Sequence, residues 1–79
     1  MSGIAKRSVS IRGHRTSISL EKPFLQELEA IARRQNVPLA TLIAEVDENR
    51  SADNNLSSEL RLHVLRDLKA RLEETNDKA

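Results

Sequence analysis

Six consecutive residues, Arg15-Thr16-Ser17-Ile18-Ser19-Leu20, alternate polar and apolar side chains and run straight into Glu21-Lys22-Pro23-Phe24. A period of two is the pattern of a half-buried strand. Pro23 suits the first turn of a helix, where its missing N–H costs nothing. The rest of the chain reads as helices, and one strand cannot form a sheet. Pairing with the same strand of a second copy solves this by making a two-fold antiparallel ribbon. Ile18 and Leu20 then face inward, and Arg15, Ser17 and Ser19 face outward. A two-stranded ribbon presenting Arg and Ser has the dimensions of the major groove of duplex DNA.

The chain has 79 residues, which make one small domain with a core that is marginal alone. Self-association is a common remedy at this size. There is no Cys, so a disulfide framework and a thiolate metal site are both excluded. No long apolar run and no signal-peptide pattern occur, so the expectation is a cytoplasmic, nucleoid-associated protein without a membrane partner. Ser2 rather than glycine follows Met1, which does not fit N-terminal myristoylation. Phe24 is the single aromatic residue, which argues against modules that stack RNA bases on aromatic side chains.

The net charge of +1 conceals an asymmetry. Residues 1–20 carry Lys6, Arg7, Arg12 and Arg15 and no acid, a charge of +4. The other 59 residues carry nine basic and twelve acidic side chains, a charge of −3 that restores the total. A basic segment on a near-neutral body points to a local polyanion site, the bland alternative being a solvated tail.

Residues 1–14 read as a basic arm. Ser8-Val9-Ser10-Ile11-Arg12 alternates again, so a short extra strand at 8–12 with a hairpin turn at Gly13-His14 is the alternative. A four-stranded sheet would be too wide for the groove, which favours the arm. The core unit spans residues 15–49. Its first helix is expected over Lys22–Gln35, with Phe24, Leu28, Ile31 and Ala32 on one face, Leu25 at its edge and Asn36 as a left-handed stop. Its second is expected over Pro38–Asn49, with Leu39, Leu42, Ile43 and Val46 apolar, after a turn short enough for a helical hairpin. Residues 50–72 hold a polar loop and a third helix with Asn55 as N-cap. Leu56, Leu60, Val64, Leu65, Leu68 and Leu72 form its apolar stripe, with Leu62 off it. The spacing of four is not a heptad seam, so the stripe is expected to pack on the same core. Residues 73–79 are expected to fray, and no internal repeat is expected.

The residues give no support for catalysis. No motif places a nucleophile beside a base, and there is no phosphate loop or dinucleotide fingerprint. Glu45, Asp47 and Glu48 cluster only at the end of a surface helix. His14 and His63 lack a second ligand at a metal-binding spacing. The expectation is no enzyme, no metal and no cofactor.

The order strand, helix, tight turn, helix over Arg15 to Asn49 resembles the ribbon-helix-helix superfamily, which includes the Arc, methionine and CopG-type repressors. Thr16, Ile18 and Leu20 fit its inward strand positions, and Arg15, Ser17 and Ser19 fit its three base-reading positions. Lys6-Arg7-Ser8-Val9, Gly13-His14-Arg15-Thr16-Ser17, Leu39-Ala40-Thr41-Leu42-Ile43-Ala44-Glu45-Val46-Asp47 and Asn55-Leu56-Ser57-Ser58-Glu59-Leu60-Arg61-Leu62 look like a bacterial subgroup with an added third helix. The resemblance implies a mainly α fold with one short strand, assembled as a homodimer through an intermolecular ribbon. The dimer core would comprise Thr16, Ile18, Leu20, Phe24, Leu28, Leu42, Ile43 and Val46. Backbone N–H groups opening the second helix grip a DNA phosphate in the superfamily, and a helix N-terminus favours anions for physical reasons. The matching positions are Pro38, Leu39 and Ala40, and Pro38 departs from the usual Ser or Thr by having no N–H.

These readings converge on sequence-specific binding of double-stranded DNA by a homodimeric transcriptional regulator. Arg15, Ser17 and Ser19 are the expected base readers. Lys6, Arg7, Arg12, Leu39 and Ala40 are the expected phosphate contacts. The alternatives are an antitoxin that also binds a toxin, and a protein-interaction dimer without DNA.

Overall fold

A computed structural model describes residues 3–77, with side-chain environments through Thr75. Residues 1–2 of the expected arm and 78–79 of the expected tail lie outside it. The chain runs β1 (Ile4–Ile11), β2 (His14–Glu21), α1 (Lys22–Gln35), α2 (Leu39–Glu48) and α3 (Leu56–Asp77).

The arm expected over residues 1–14 is a strand from Ile4 onward. β1 pairs antiparallel with β2 from Ile4 opposite Glu21 to Ile11 opposite His14, so β2 finds a partner within its own chain. The turn lies at Arg12-Gly13, one residue before the expected Gly13-His14. Arg12 has φ 50° and Gly13 φ 81°. Two positive φ values characterise a type I′ turn, whose twist matches that of the flanking strands. Gly13 adopts it without steric cost, whereas an L-residue such as Arg12 loses roughly 1 kcal/mol there.

α1 occupies the expected residues. Asn36 closes it in the left-handed conformation, with φ 58° and ψ 40°. The Val37 N–H then donates to the Ala32 carbonyl at 3.0 Å and the Asn36 N–H to the Arg33 carbonyl at 3.1 Å. This pair of bonds satisfies carbonyls the helix end leaves over. Arg33 and Arg34 in that last turn also complement the helix dipole. α2 is one residue shorter at each end than expected, with Pro38 as its N-cap. The Asn55 side chain accepts the Ser58 N–H at 2.8 Å and opens α3, as expected.

One core joins all five elements. Val9, Ile11, Ile18, Leu20, Leu28, Ile31, Ala32, Leu42, Ile43, Val46, Leu60 and Val64 are buried together, and Phe24 packs half-buried at the margin. Most of the residues expected to form a dimer core are therefore packed within one chain, with Thr16 half-buried. Leu25, expected at the edge of its helix face, is buried.

α3 departs from expectation in length and packing. It continues as helix to Asp77, through most of the segment expected to fray. Leu60 and Val64 are buried, but Leu65, Leu68 and Leu72 are 49%, 38% and 62% exposed. A step of four residues advances about 40° beyond a full turn, so a spacing of four drifts about 160° from Leu56 to Leu72. One small core cannot cover such a stripe. Ion pairs hold the outer half of α3 to α1 instead, from Asp67 to Arg34 at 2.9 Å and from Arg71 to Glu27 at 3.4 Å.

Candidate nucleic-acid interface

The hairpin presents two chemically distinct faces. Directly opposed residues of an antiparallel pair share a face, and hydrogen-bonded pairs alternate with non-bonded ones. The Lys22 N–H donates to the Gly3 carbonyl at 2.6 Å, which extends the ladder one position beyond the Ile4–Glu21 pair. By this alternation the bonded pairs include Ala5–Leu20, Arg7–Ile18, Val9–Thr16 and Ile11–His14, whose face carries the core residues Val9, Ile11, Ile18 and Leu20. The non-bonded pairs Lys6–Ser19, Ser8–Ser17 and Ser10–Arg15 form the outer face, and all six residues are exposed. Arg15, Ser17 and Ser19 thus lie together on the solvent side of the ribbon, as anticipated.

The four cations of the basic segment divide by position. Arg7, with inner-face parity, bonds Glu29 of α1 at 3.1 Å. Arg12, at the turn, bonds Asp47 of α2 at 3.0 Å and approaches Glu48 at 3.9 Å. Lys6 and Arg15 sit on the outer face, and neither has an ion-pair partner among the described residues. The body's acids therefore neutralise Arg7 and Arg12, two of the three cations expected at phosphates, and leave Lys6, the third, available beside Arg15 on the outer face. At the α2 N-terminus, Leu39 and Ala40 are half-buried, no side chain caps the helix and its first turn holds no acid.

β2 meets α3 along its second edge. The Ser57 hydroxyl donates to the Ser19 carbonyl at 3.1 Å. Two residues further on, Glu21 receives both Nε and a terminal nitrogen of Arg61, at 2.9 and 3.3 Å. That hydrogen bond is the main reason the Glu21 carboxyl is held below the usual carboxylate range.

The register exposes a repeat that the alternation alone did not suggest. Lys6-Arg7-Ser8-Val9-Ser10-Ile11 and Arg15-Thr16-Ser17-Ile18-Ser19-Leu20 match at nine-residue offset as Lys/Arg, Arg/Thr, Ser/Ser, Val/Ile, Ser/Ser and Ile/Leu. The expectation of no internal repeat is corrected. The signal was present in the sequence, but six residues are too few to stand out until the hairpin sets the units side by side.

No curated protein and no solved structure matches this chain. A family model described as a ribbon-helix-helix domain matches residues 4–68. The match takes in β1, β2, both hairpin helices and the core-facing part of α3, well beyond the Arg15–Asn49 segment that first suggested it. The match spans most of the chain and agrees with the observed ribbon followed by paired helices, so this chain belongs to the ribbon-helix-helix domain family.

Proposed function

We propose that the protein binds double-stranded DNA sequence-specifically as a homodimer and acts as a transcriptional regulator. The observation that carries this reading is the outer face of the hairpin, where Arg15, Ser17 and Ser19 stand exposed and Arg15 has no acidic partner among the described residues. Arg15 forks to the O6 and N7 of a guanine, while serine hydroxyls bond either donors or acceptors and add register rather than strict choice. Arg7 and Arg12 exchange their exposed carboxylate partners for phosphates. Such ion pairs are worth at most about 1 kcal/mol, so a polyanion can compete for them. The N–H groups of Leu39 and Ala40 add a phosphate site. Catalysis is not part of this reading: in the cleft beside the hairpin turn the Asp47 carboxylate is taken up in ion pairs with both Arg12 and Arg50.

A second copy has an apolar surface to meet. Leu65, Leu68 and Leu72 are exposed at spacings of three and four, the rhythm of a helix–helix seam, whereas Leu56, Leu60 and Val64 face the core at spacings of four. If the seam instead receives a different protein, the antitoxin reading gains the support the dimer loses.

Enrichment from a random duplex library tests the function directly. A defined motif, protected in a footprint, is the expected result. Binding that is equal for all sequences would overturn the proposal.

A further inference from the structure

The repeat makes β1 a near-copy of β2, and the register says where the copy is placed. With Ser8 opposite Ser17 and Ser10 opposite Arg15, β1 lies along β2 in the position that β2 of a second copy would fill after a shift of nine residues. Substituting strand for strand sets Ser17 opposite Ser17 of the second copy and Arg15 opposite its Ser19, which is a two-fold antiparallel ribbon. The apolar side chains change little in the substitution. Val9 gives way to Ile18 and Ile11 to Leu20, all of them buried here.

We infer that β1 is an internal stand-in for the β2 strand of a second copy, and that the ribbon between subunits forms only once β1 is released. This rests on the DNA-reading homodimer proposed above and adds to it a strand that holds the free chain closed.

Three observations support the step. First, β2 has one edge to offer. By the alternation of the ladder, His14, Thr16, Ile18 and Leu20 direct their backbone bonds to β1. On the other edge the Ser57 hydroxyl takes the Ser19 carbonyl, and Glu21 is held by Arg61. An incoming strand therefore competes with β1. Second, the major groove admits two strands, and two closed hairpins side by side would present four. Third, release relaxes the turn. Arg12 is held at φ 50°, a conformation that L-residues disfavour, and short hinge loops under strain invite exchange between copies.

The exchange is gated. Two closed chains hold two β1–β2 ladders, whereas the open dimer holds one ribbon, so release alone is unfavourable. The exposed Leu65, Leu68 and Leu72 offer a second copy apolar area that closed monomers leave in water. Release also separates Arg7 from Glu29 and Arg12 from Asp47, so the freed basic arm can neutralise phosphates. Duplex DNA thus draws the chain open by its greater affinity for the open form.

A hairpin locked by Ile4→Cys and Glu21→Cys tests this, a directly opposed pair in a chain with no cysteine of its own. Non-bonded antiparallel pairs have a Cα separation of about 4.5 Å, within reach of a disulfide. The oxidised protein is expected to stay monomeric in sedimentation equilibrium and to lose duplex binding, and a reductant to restore both. An oxidised protein that dimerises and binds as well as the reduced one overturns the inference. Val9→Ser loosens β1 while leaving β2 intact, and is expected to lower the protein concentration at which the dimer forms. An unchanged or higher concentration would show that β1 is only structural and would overturn the inference too. Sedimentation needs no DNA. A wild type that enriches no motif would therefore remove the DNA-reading function, while the dimer measurements still decide the exchange.

Discussion

Arg15 and Ile18 lie three residues apart on opposite faces of one strand, and their expected mutational effects are opposite in kind. Arg15→Ala removes an exposed side chain without an ion-pair partner among the described residues, so thermal unfolding should be unchanged. Discrimination between the selected motif and random duplex should fall by about 1–3 kcal/mol, the worth of a bidentate guanine contact. Competition binding checks this, and equal losses on both duplexes would identify Arg15 as a phosphate contact. Ile18 is 3% exposed in the shared core. Ile18→Lys buries a charge with no partner, which costs several kcal/mol and exceeds what a small domain can lose. A urea titration should find this variant unfolded without denaturant. Gly13 gives an intermediate case. A Cβ there meets no atom, but φ is +81°, so Gly13→Ala should cost only the left-handed strain of roughly 1 kcal/mol.

At the scale of elements, the outer half of α3 is held by charge where its inner half is held by packing. Burial alone would raise the Asp67 carboxyl, but the hydrogen bond and charge of Arg34, then those of Arg71, outweigh it and hold it below its ordinary 3.8. A carboxyl with a depressed folded-state pKa stabilises the fold above its unfolded value and loses that contribution as pH falls through the folded one. The attachment of α3 to α1 should therefore weaken as pH drops below 3.8. Hydrogen exchange of α3 amides in acid measures it, and Asp67→Asn should flatten this part of the pH dependence. Protection unchanged in both proteins would show that the ion pairs contribute nothing.

The whole molecule buries its strand and helix faces in one chain but leaves a leucine seam outside. Leu68 is 38% exposed at the middle of the seam. Leu68→Glu should keep the helical signal and shift the protein to monomer in sedimentation equilibrium. A variant that stays dimeric would move the interface elsewhere and leave the seam to another partner. The proposed dimer also sets the salt dependence, because each phosphate neutralised contributes about 0.9 to the slope of log affinity against log salt. Arg12→Gln should thus lower the slope by up to about 1.8 in a two-subunit complex, with the preferred motif unchanged.

Local pattern alone determined much of this protein. Period-two alternation located β2 and its faces, Pro23 and Asn36 bounded α1, and Asn55 opened α3, because each depends on neighbours only a few residues away. The outward set Arg15, Ser17 and Ser19 was legible for the same reason: strand parity decides it before any partner is known. Three other features required the tertiary structure. The choice between Arg12-Gly13 and Gly13-His14 as the turn was not legible from strand parity, because both keep Val9 and Ile11 on the face of Ile18 and Leu20; only the folded register, with Arg7 opposite Ile18 and Val9 opposite Thr16, decides it. The division of the α3 leucines depended on where the core ends, since a helix about 33 Å long outruns the surface available to cover it. The separation of Lys6 and Arg15 from Arg7 and Arg12 depended on acids 22 to 36 positions away in sequence, which folding alone brings to the inner and turn positions of the ribbon.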